Sequence, residues 1–221
     1  MMRSLKMNGA GSSGGGVFKE VMLEGAHKIT GDIDCENFHT AGTCKALGHI
    51  SCLTFNGAGA MTLQGIKTKE MSVVGSCTCH GTVDGEVLQV EGYLSADEEI
   101  NAEDIRIEGK FKVLGVMNAE KVTLLLHEPS SVMEIGAGKI EVRKLTKKSK
   151  SWNIFTMFKI KKVALEANLM EADEIYLEYG HVKKVCGDQV VIGPHCMIEE
   201  VEYRGEIDIH PTSKVKRQKQ I

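Results

Sequence analysis

Glycines that recur at a nearly constant spacing constrain this chain more than any other feature. Neighbouring glycines of a first column lie seventeen residues apart, with one spacing of sixteen, and a second column follows six residues after the first. Self-similarity at a fixed period is typical of stacked repeat architectures. The first column is Gly25, Gly42, Gly59, Gly75, Gly92 and Gly109, and the second is Gly31, Gly48, Gly65, Gly81 and Gly115, with Glu98 as the exception.

Apolar residues between the glycines also fall into columns, such as Ile33, Ile50, Ile66, Val83, Ile100 and Met117. Within each repeat they alternate at period two, which predicts short strands with one buried face. The glycines supply the corners. We therefore predict an all-β fold, a right-handed parallel β-helix with coils of about seventeen residues. The handedness follows from the period, because left-handed hexapeptide helices prefer multiples of six. Residues 98–104 and 165–174 have helix-compatible composition, but both continue the strand pattern.

The rest of the chain predicts five segments. Residues 1–16 are a flexible head ending in glycine and serine, and residues 17–135 hold the regular coils. Residues 136–163 form a basic, aromatic loop insertion. The β pattern returns over residues 164–210 as a continuation of the same stack, and residues 211–221 are a disordered basic tail.

Composition narrows the functional classes. The formal net charge is −3 at pH 7, which gives no overall case for nucleic acid as a partner. No apolar run is long enough to span a membrane, and the N-terminus lacks a signal peptide. The seven cysteines do not form a disulfide pattern, so a reducing compartment fits. We expect a cytoplasmic protein.

No residue set makes a convincing chemical site. Cys77 and Cys79 lie two apart on one strand face, where core packing is favoured over metal binding, although Cys44 could join them. His195 and Cys196 are adjacent and face opposite ways, which makes a poor nucleophilic pair. The glycine-rich stretches lack a complete phosphate-binding pattern. We expect no catalytic, cofactor-binding or metal-binding residue, no cofactor, and no enzymatic activity.

The insertion is one functional candidate. Lysines flanking aromatic residues match the composition of an interfacial membrane segment. The alternatives are a surface hairpin whose aromatic residues pack on the flank of the solenoid, and a contact for a protein partner. The membrane-contact candidates are Trp152, Ile154, Phe155, Phe158, Lys159, Lys161 and Lys162.

The two ends of the stack are the other candidate. A coil at the end of a β-helix leaves backbone donors and acceptors unpaired, which favours pairing with another chain. Neither end carries a convincing helical cap, so end-to-end stacking would bury apolar side chains. The alternative is a monomer whose head or tail folds over the ends. The polymer-interface candidates are Val17, Phe18, Val21, Leu23, Ile207 and Ile209.

The glycine and aliphatic repeat, the head and the charged tail together resemble the bactofilins, polymer-forming cytoskeletal proteins of bacteria. The segments Ile175-Tyr176-Leu177, Val190-Val191-Ile192-Gly193-Pro194 and Ile198-Glu199-Glu200-Val201-Glu202-Tyr203 are similar to a longer variety from spore-forming Gram-positive bacteria. The resemblance covers residues 17–210. The basic insertion and the weakly apolar head depart from the usual pattern.

This resemblance implies non-polar filaments that form end to end without nucleotide. It also implies scaffolding of cell-envelope or flagellar and motility processes, peripherally at the inner face of the cell membrane. The implied partners are further copies of the chain, an anionic membrane surface, and envelope or flagellar proteins. Two alternative functions stay open: a β-helical acyltransferase or carbohydrate-active enzyme, and a membrane-associated adaptor that does not polymerise.

Overall fold

The structure is a computed structural model that describes residues 3–145 and 165–221, and all regular secondary structure in those residues is β. The strands are β1 (Leu5–Ser13), β2 (Gly16–Ile29), β3 (Ile33–Ala46), β4 (Ile50–Leu63), β5 (Ile66–Cys79), β6 (Val83–Asp84), β7 (Val87–Ala96), β8 (Ile100–Asn101), β9 (Asp104–Leu126), β10 (Ser130–Lys144), β11 (Leu165–Leu177), β12 (Gly180–Ile192), β13 (Met197–Tyr203), β14 (Ile207–Ile209) and β15 (Lys214–Gln220).

These strands form one parallel sheet that winds into a β-solenoid of about 12 turns. Each strand pairs with the equivalent strand of the next coil, so that Ile33 is in register with Ile50 and Gly42 with Gly59. The single sixteen-residue spacing is absorbed in the turn before β5, because Ile50 and Ile66 are again in register. The predicted parallel β-helix is therefore confirmed, while its handedness stays a prediction.

Side chains alternate along each strand, so that every second one lies inside the coil. Because neighbouring coils are in register, the residues of one sequence column stack on each other and form a ladder inside the solenoid. The rings of Phe38 and Phe55 stack with centroids 5.1 Å apart, and both side chains are fully buried. One continuous apolar cluster runs from Phe18 to Val201. Burial of this kind contributes about 25 cal/mol for each Å² of apolar surface removed from water.

The first glycine column forms a bend that only glycine fits. Gly42 and Gly59 both have φ of +115°, a conformation that costs a side chain free energy. A Cβ on Gly59 would also clash with the carbonyl oxygen of Gly42 in the coil below. Close backbone approach therefore requires glycine at this position of each coil, and its recurrence produces the spacing of about seventeen residues.

The predicted segment boundaries differ from the structure in three places. Residues 136–144, assigned to the insertion, belong to β10, because Ile140 and Val142 are fully buried and continue the inner ladders. Residues 5–13 of the predicted flexible head form β1, which pairs with β2. Residues 214–220 of the predicted disordered tail form β15, which pairs with β13.

Gly59→Ala should lower the free energy of unfolding by about 3 kcal/mol, because it strains φ and pushes two coils apart. Urea unfolding followed by circular dichroism measures the change. Gly136→Ala is the matched control, since the nearest atom to its added Cβ is the Asn118 side-chain oxygen at 3.4 Å. This control should stay within about 0.5 kcal/mol of wild type. Equal stability of the two variants would contradict the role given to the bend.

Candidate functional site

The first coil is the N-terminal end of the solenoid. β1 pairs with β2 on one side, and among the described residues no strand pairs with its other side. Leu5 lies over Val21 and Met7 over Leu23, and both remain half-buried because only one face of each is covered. The coil is held by backbone bonds, including the Thr30 N–H donating to the Ser13 carbonyl at 2.9 Å.

The predicted N-terminal interface residues lie mostly one coil below this end. Val21 and Leu23 are buried beneath β1, and Phe18 is buried with the guanidinium of Arg3 5.0 Å from its ring centroid. Val17 alone of the four is exposed, at 58%. The prediction placed the end at the wrong coil, because the head forms a strand of its own.

The C-terminal end is built from β14 and β15. Ile207 and Ile209 lie over Val190 and Ile192 of β12 and are half-buried, so the structure places both at the end, where the sequence predicted them. The sequence did not predict β15, in which Val215 lies over Ile198 and is half-buried. Within the described part of the chain, β14 and β15 each pair with a strand on one side only.

Ion pairs attach the basic last strand. Lys216 Nζ lies 3.0 Å from Glu199, and the guanidinium of Arg217 lies 2.7 Å from Glu200, each pair joining residues of neighbouring coils. The hydrogen bond from Lys216 lowers the pKa of the Glu199 carboxyl. The hydrogen bond from Lys184 likewise lowers the pKa of Glu202. The basic side chains therefore lie along the flank and do not cover the end.

A sequence signal for both missed strands exists. Gly9 lies sixteen residues before Gly25, has a φ of +84°, and extends the first glycine column by one coil. Val215 and Gln218 lie seventeen residues after Ile198 and Val201, in register with them. Neither β1 nor β15 was predicted as a continuation of the repeat, because both segments are polar or rich in glycine.

All seven membrane-contact candidates lie in residues 146–164, outside the described residues. The end of β10, from which this segment leaves, is fixed by a polar cluster that it shares with the C-terminal end of β11. Tyr176 Oη donates to Glu178 at 2.6 Å, and the Lys144 N–H donates to the other oxygen of Glu178 at 3.2 Å. The Arg143 guanidinium lies 4.3 Å from the Tyr176 ring centroid. The bond to Glu178 raises the pKa of Tyr176.

The cysteine cluster at residues 77–79 is part of the core. Cys77 and Cys79 are fully buried, and burial raises the pKa of Cys77 to about 12 and of Cys79 to about 11. Burial also raises the pKa of Cys44 to about 11. Residues 3–145 and 165–221 contain no group of three or more His, Cys, Asp or Glu side chains placed to hold a metal ion.

His195 and Cys196 lie at a turn with different surroundings. The His195 ring packs at 4.9 Å against Tyr179, and both residues have positive φ, at 60° and 53°. The Cys196 thiol is buried and donates to the Leu177 carbonyl at 3.2 Å. The His195 ring and the Cys196 thiol therefore have different partners.

In the described coils there is no helix of the length and apolarity that a membrane span needs.

Two proteins of Bacillus subtilis (strain 168) are similar to this chain. The uncharacterized protein YhbE is 30% identical over 238 aligned positions, which cover 98% of this chain and 97% of YhbE. The uncharacterized protein YhbF is 34% identical over 103 residues, and that match covers 46% of this chain and 40% of YhbF. No protein-family model matches the chain. No solved structure matches it either.

Glu199→Gln should loosen β15, because the neutral amide keeps the shape of the side chain and loses its ion pair with Lys216. We expect the backbone amides of residues 214–220 to exchange hydrogen roughly two- to fivefold faster at pH 7, in keeping with an exposed pair. Hydrogen exchange with mass spectrometry measures this. Glu91→Gln, a carboxyl in β7, is the matched control and should leave these amides unchanged.

Acid should have the same effect as Glu199→Gln. The pKa of Glu199 is lowered in the folded chain. The ion pair of Glu199 therefore stabilises β15 fully above the unfolded-state pKa of about 4.3, and this stabilisation is lost as pH falls through the folded-state pKa. β15 should therefore stay attached from pH 7 to about pH 5 and loosen below about pH 4. Attachment that is unchanged at pH 3 would contradict the ion-pair account.

Proposed function

The chain belongs to the family of the Bacillus subtilis protein YhbE, and we propose that it is a self-assembling cytoskeletal scaffold whose solenoids stack end to end without nucleotide. Support comes first from the two ends. Among residues 3–145 and 165–221, each end presents a strand paired on one side only, with half-buried apolar residues of the inner ladders beside it. The resemblance to bactofilins, stated from the sequence, leads to the same function.

The backbone edges favour assembly. An unpaired strand edge presents donors and acceptors to water and can pair with an edge of another chain. At the N-terminal end that edge is β1, and at the C-terminal end it is β14 with β15. Stacking one solenoid on another would continue the sheet at about 4.8 Å per coil.

The inner side chains add an apolar contribution. Leu5 and Met7 at one end, and Ile207, Ile209 and Val215 at the other, are half-buried against the core. A second copy over either end would cover their remaining surface, at about 25 cal/mol per Å². The strands formed by the head and tail therefore extend the stack and leave an edge open.

The first glycine column has a structural explanation that involves no nucleotide. Gly42, Gly59 and Gly75 lie at bends where each glycine closely approaches the backbone of the preceding coil. Their positions are explained by coil stacking, so they need no phosphate ligand. The cellular process served by the scaffold is inferred from the resemblance, which points to the cell envelope or the flagellum.

Charging either end should disrupt assembly. We expect wild type to form filaments in electron microscopy of purified protein without added nucleotide, and Met7→Lys and Ile209→Lys each to shorten or abolish them, because a charge at the end opposes apolar contact. The matched control is Val74→Lys, an apolar residue that is 54% exposed on the flank of the solenoid. It should assemble like wild type.

Sedimentation at several protein concentrations gives an independent measure of the same assembly. Wild type that stays monomeric at high concentration would contradict the proposal. So would filaments that neither end variant affects, since the contacts would then lie elsewhere on the molecule.

An anionic membrane surface is the second proposed partner, through the basic aromatic segment. A chain with residues 146–164 replaced by a three-residue turn, like residues 47–49 between β3 and β4, should lose flotation with phosphatidylglycerol vesicles. Each lysine near an anionic leaflet contributes about 1 kcal/mol, so changing Lys159, Lys161 and Lys162 to Gln should weaken flotation. Neutral phosphatidylcholine vesicles are the control. Equal flotation of wild type and the replacement would remove this role.

A further inference from the structure

Two cysteines of neighbouring coils are in register with each other. Cys35 of β3 pairs with Cys52 of β4 in the parallel ladder, between Phe18 below and Thr68 above. Backbones so paired lie about 4.8 Å apart, within the Cα separation of about 4.4–6.8 Å that a disulfide needs. Both thiols are free.

No other pair of the seven cysteines, all of which lie in described residues, is adjacent in the ladders. Cys44 is in register with Met61, which separates it from Cys77 by a full coil. Cys77 and Cys79 lie on one strand, with Thr78 between them. Cys186 is in register with Glu202. Register and Cα separation therefore favour a direct bond between Cys35 and Cys52 over any other pair.

Both cysteines are almost fully buried, but a surface groove borders only one of them. Cys52 lines an open surface groove of about 610 Å³, with Leu53, Lys67 and Lys69 among its walls, and Cys35 is not part of that lining. Their exposed fractions are 7% for Cys52 and 6% for Cys35. A small oxidant entering the groove reaches Cys52 first.

The environment also prepares Cys52 as the more reactive thiol. A hydrogen bond from the Cys35 thiol lowers the pKa of Cys52, and the same contact raises the pKa of Cys35. The Cys52 thiol in turn donates to the Thr68 hydroxyl, 3.5 Å away. Thiolate is the attacking form of cysteine, whereas the other core thiols are deprotonated less readily because of burial.

We propose that Cys35 and Cys52 form a thiol modification site, at which a hydroperoxide converts the two thiols into a reversible disulfide between neighbouring coils. The Cys52 thiolate attacks a peroxide oxygen: an S–O bond forms, the O–O bond breaks, and hydroxide leaves and takes up a proton. The Cys35 sulfur then attacks the sulfenic sulfur: an S–S bond forms, the S–O bond breaks, and water leaves. Two thiols lose two electrons and hydrogen peroxide becomes two waters.

The disulfide would fasten the third coil to the fourth. It closes a loop from residue 35 to residue 52, which restricts the unfolded chain. A small-molecule thiol would restore the reduced form by exchange. This inference does not depend on filament formation, because both cysteines lie within one chain and away from the ends.

Folded wild-type protein treated with one equivalent of hydrogen peroxide should lose the mass of two hydrogen atoms. Peptide mapping under non-reducing conditions should then show a link between Cys35 and Cys52, which dithiothreitol removes. The oxidised protein should melt about 6 °C or more above the reduced protein, as expected for a closed loop of this length. Peptide mapping of wild type requires no variant to fold.

Variants separate the roles of the two thiols. Cys35→Ala should leave a sulfenic acid on Cys52 that dimedone traps, and Cys52→Ala should leave Cys35 untrapped. Cys44→Ala, a buried cysteine of the same coil as Cys35, is the matched control and should oxidise like wild type. A link that forms only after unfolding in urea would overturn the proposal. So would oxygen uptake spread over several cysteines without the Cys35–Cys52 link.

Discussion

Close backbone approach at the glycine bend is the constraint on which the rest of this structure depends. From Gly9 to Gly109, every coil passes this bend with positive φ. From Gly25 onward, each added Cβ would meet the backbone of the glycine one coil below. Because the bend fixes where each coil turns, it keeps the flanking strands in register. Because the strands are in register, similar side chains of successive coils stack on one another and form the inner ladders.

The bend changes after Gly109, and the coils change with it. The chain passes through His127, Glu128 and Pro129, where the His127 N–H donates to the Gly109 carbonyl at 2.9 Å. Beyond this point Leu165 is in register with Gly180, a coil of fifteen residues. Tyr179 and His195 then take positive φ without being glycine. The same sheet continues on a different corner, which explains why the glycine columns stop while the inner apolar ladders go on.

Much of the fold could be predicted because the period and the alternation are both visible in the sequence. The in-register pairs Ile33 with Ile50 and Gly42 with Gly59 are the sequence columns themselves. The ends could not be located by the same signals. Gly11 and Ser13 continue the first coil without an apolar side chain, and Gln218 takes an inner position of the last. Composition indicated flexibility there, whereas hydrogen bonding to a preformed coil edge orders a polar segment.

Ladder geometry also explains which interactions local motif searches miss. In a solenoid the chemical neighbour of a residue lies about one coil away along the chain. Cys35 meets Cys52, Glu199 meets Lys216, and the Asp84 carboxylate accepts a hydrogen bond from Asn101 at 2.9 Å. The adjacent pair His195 and Cys196, in contrast, shares no environment. The thiol pair is visible in the sequence at this spacing, because Cys35 and Cys52 stand in one column of the repeat.

The same geometry determines what an end of this molecule can be. A strand laid over an open coil pairs the edge below it and presents a new edge above, so a head or tail that folds as strand moves the end without closing it. The number of apolar side chains differs between coils. Leu5 and Met7 lie over Val21 and Leu23 of the next coil, whereas Gly11, which has no side chain, lies over His27. A junction between two such ends would therefore depend on backbone pairing as much as on apolar contact. Each junction would then be weaker than the joint between two internal coils, and the length of an assembly would depend on protein concentration.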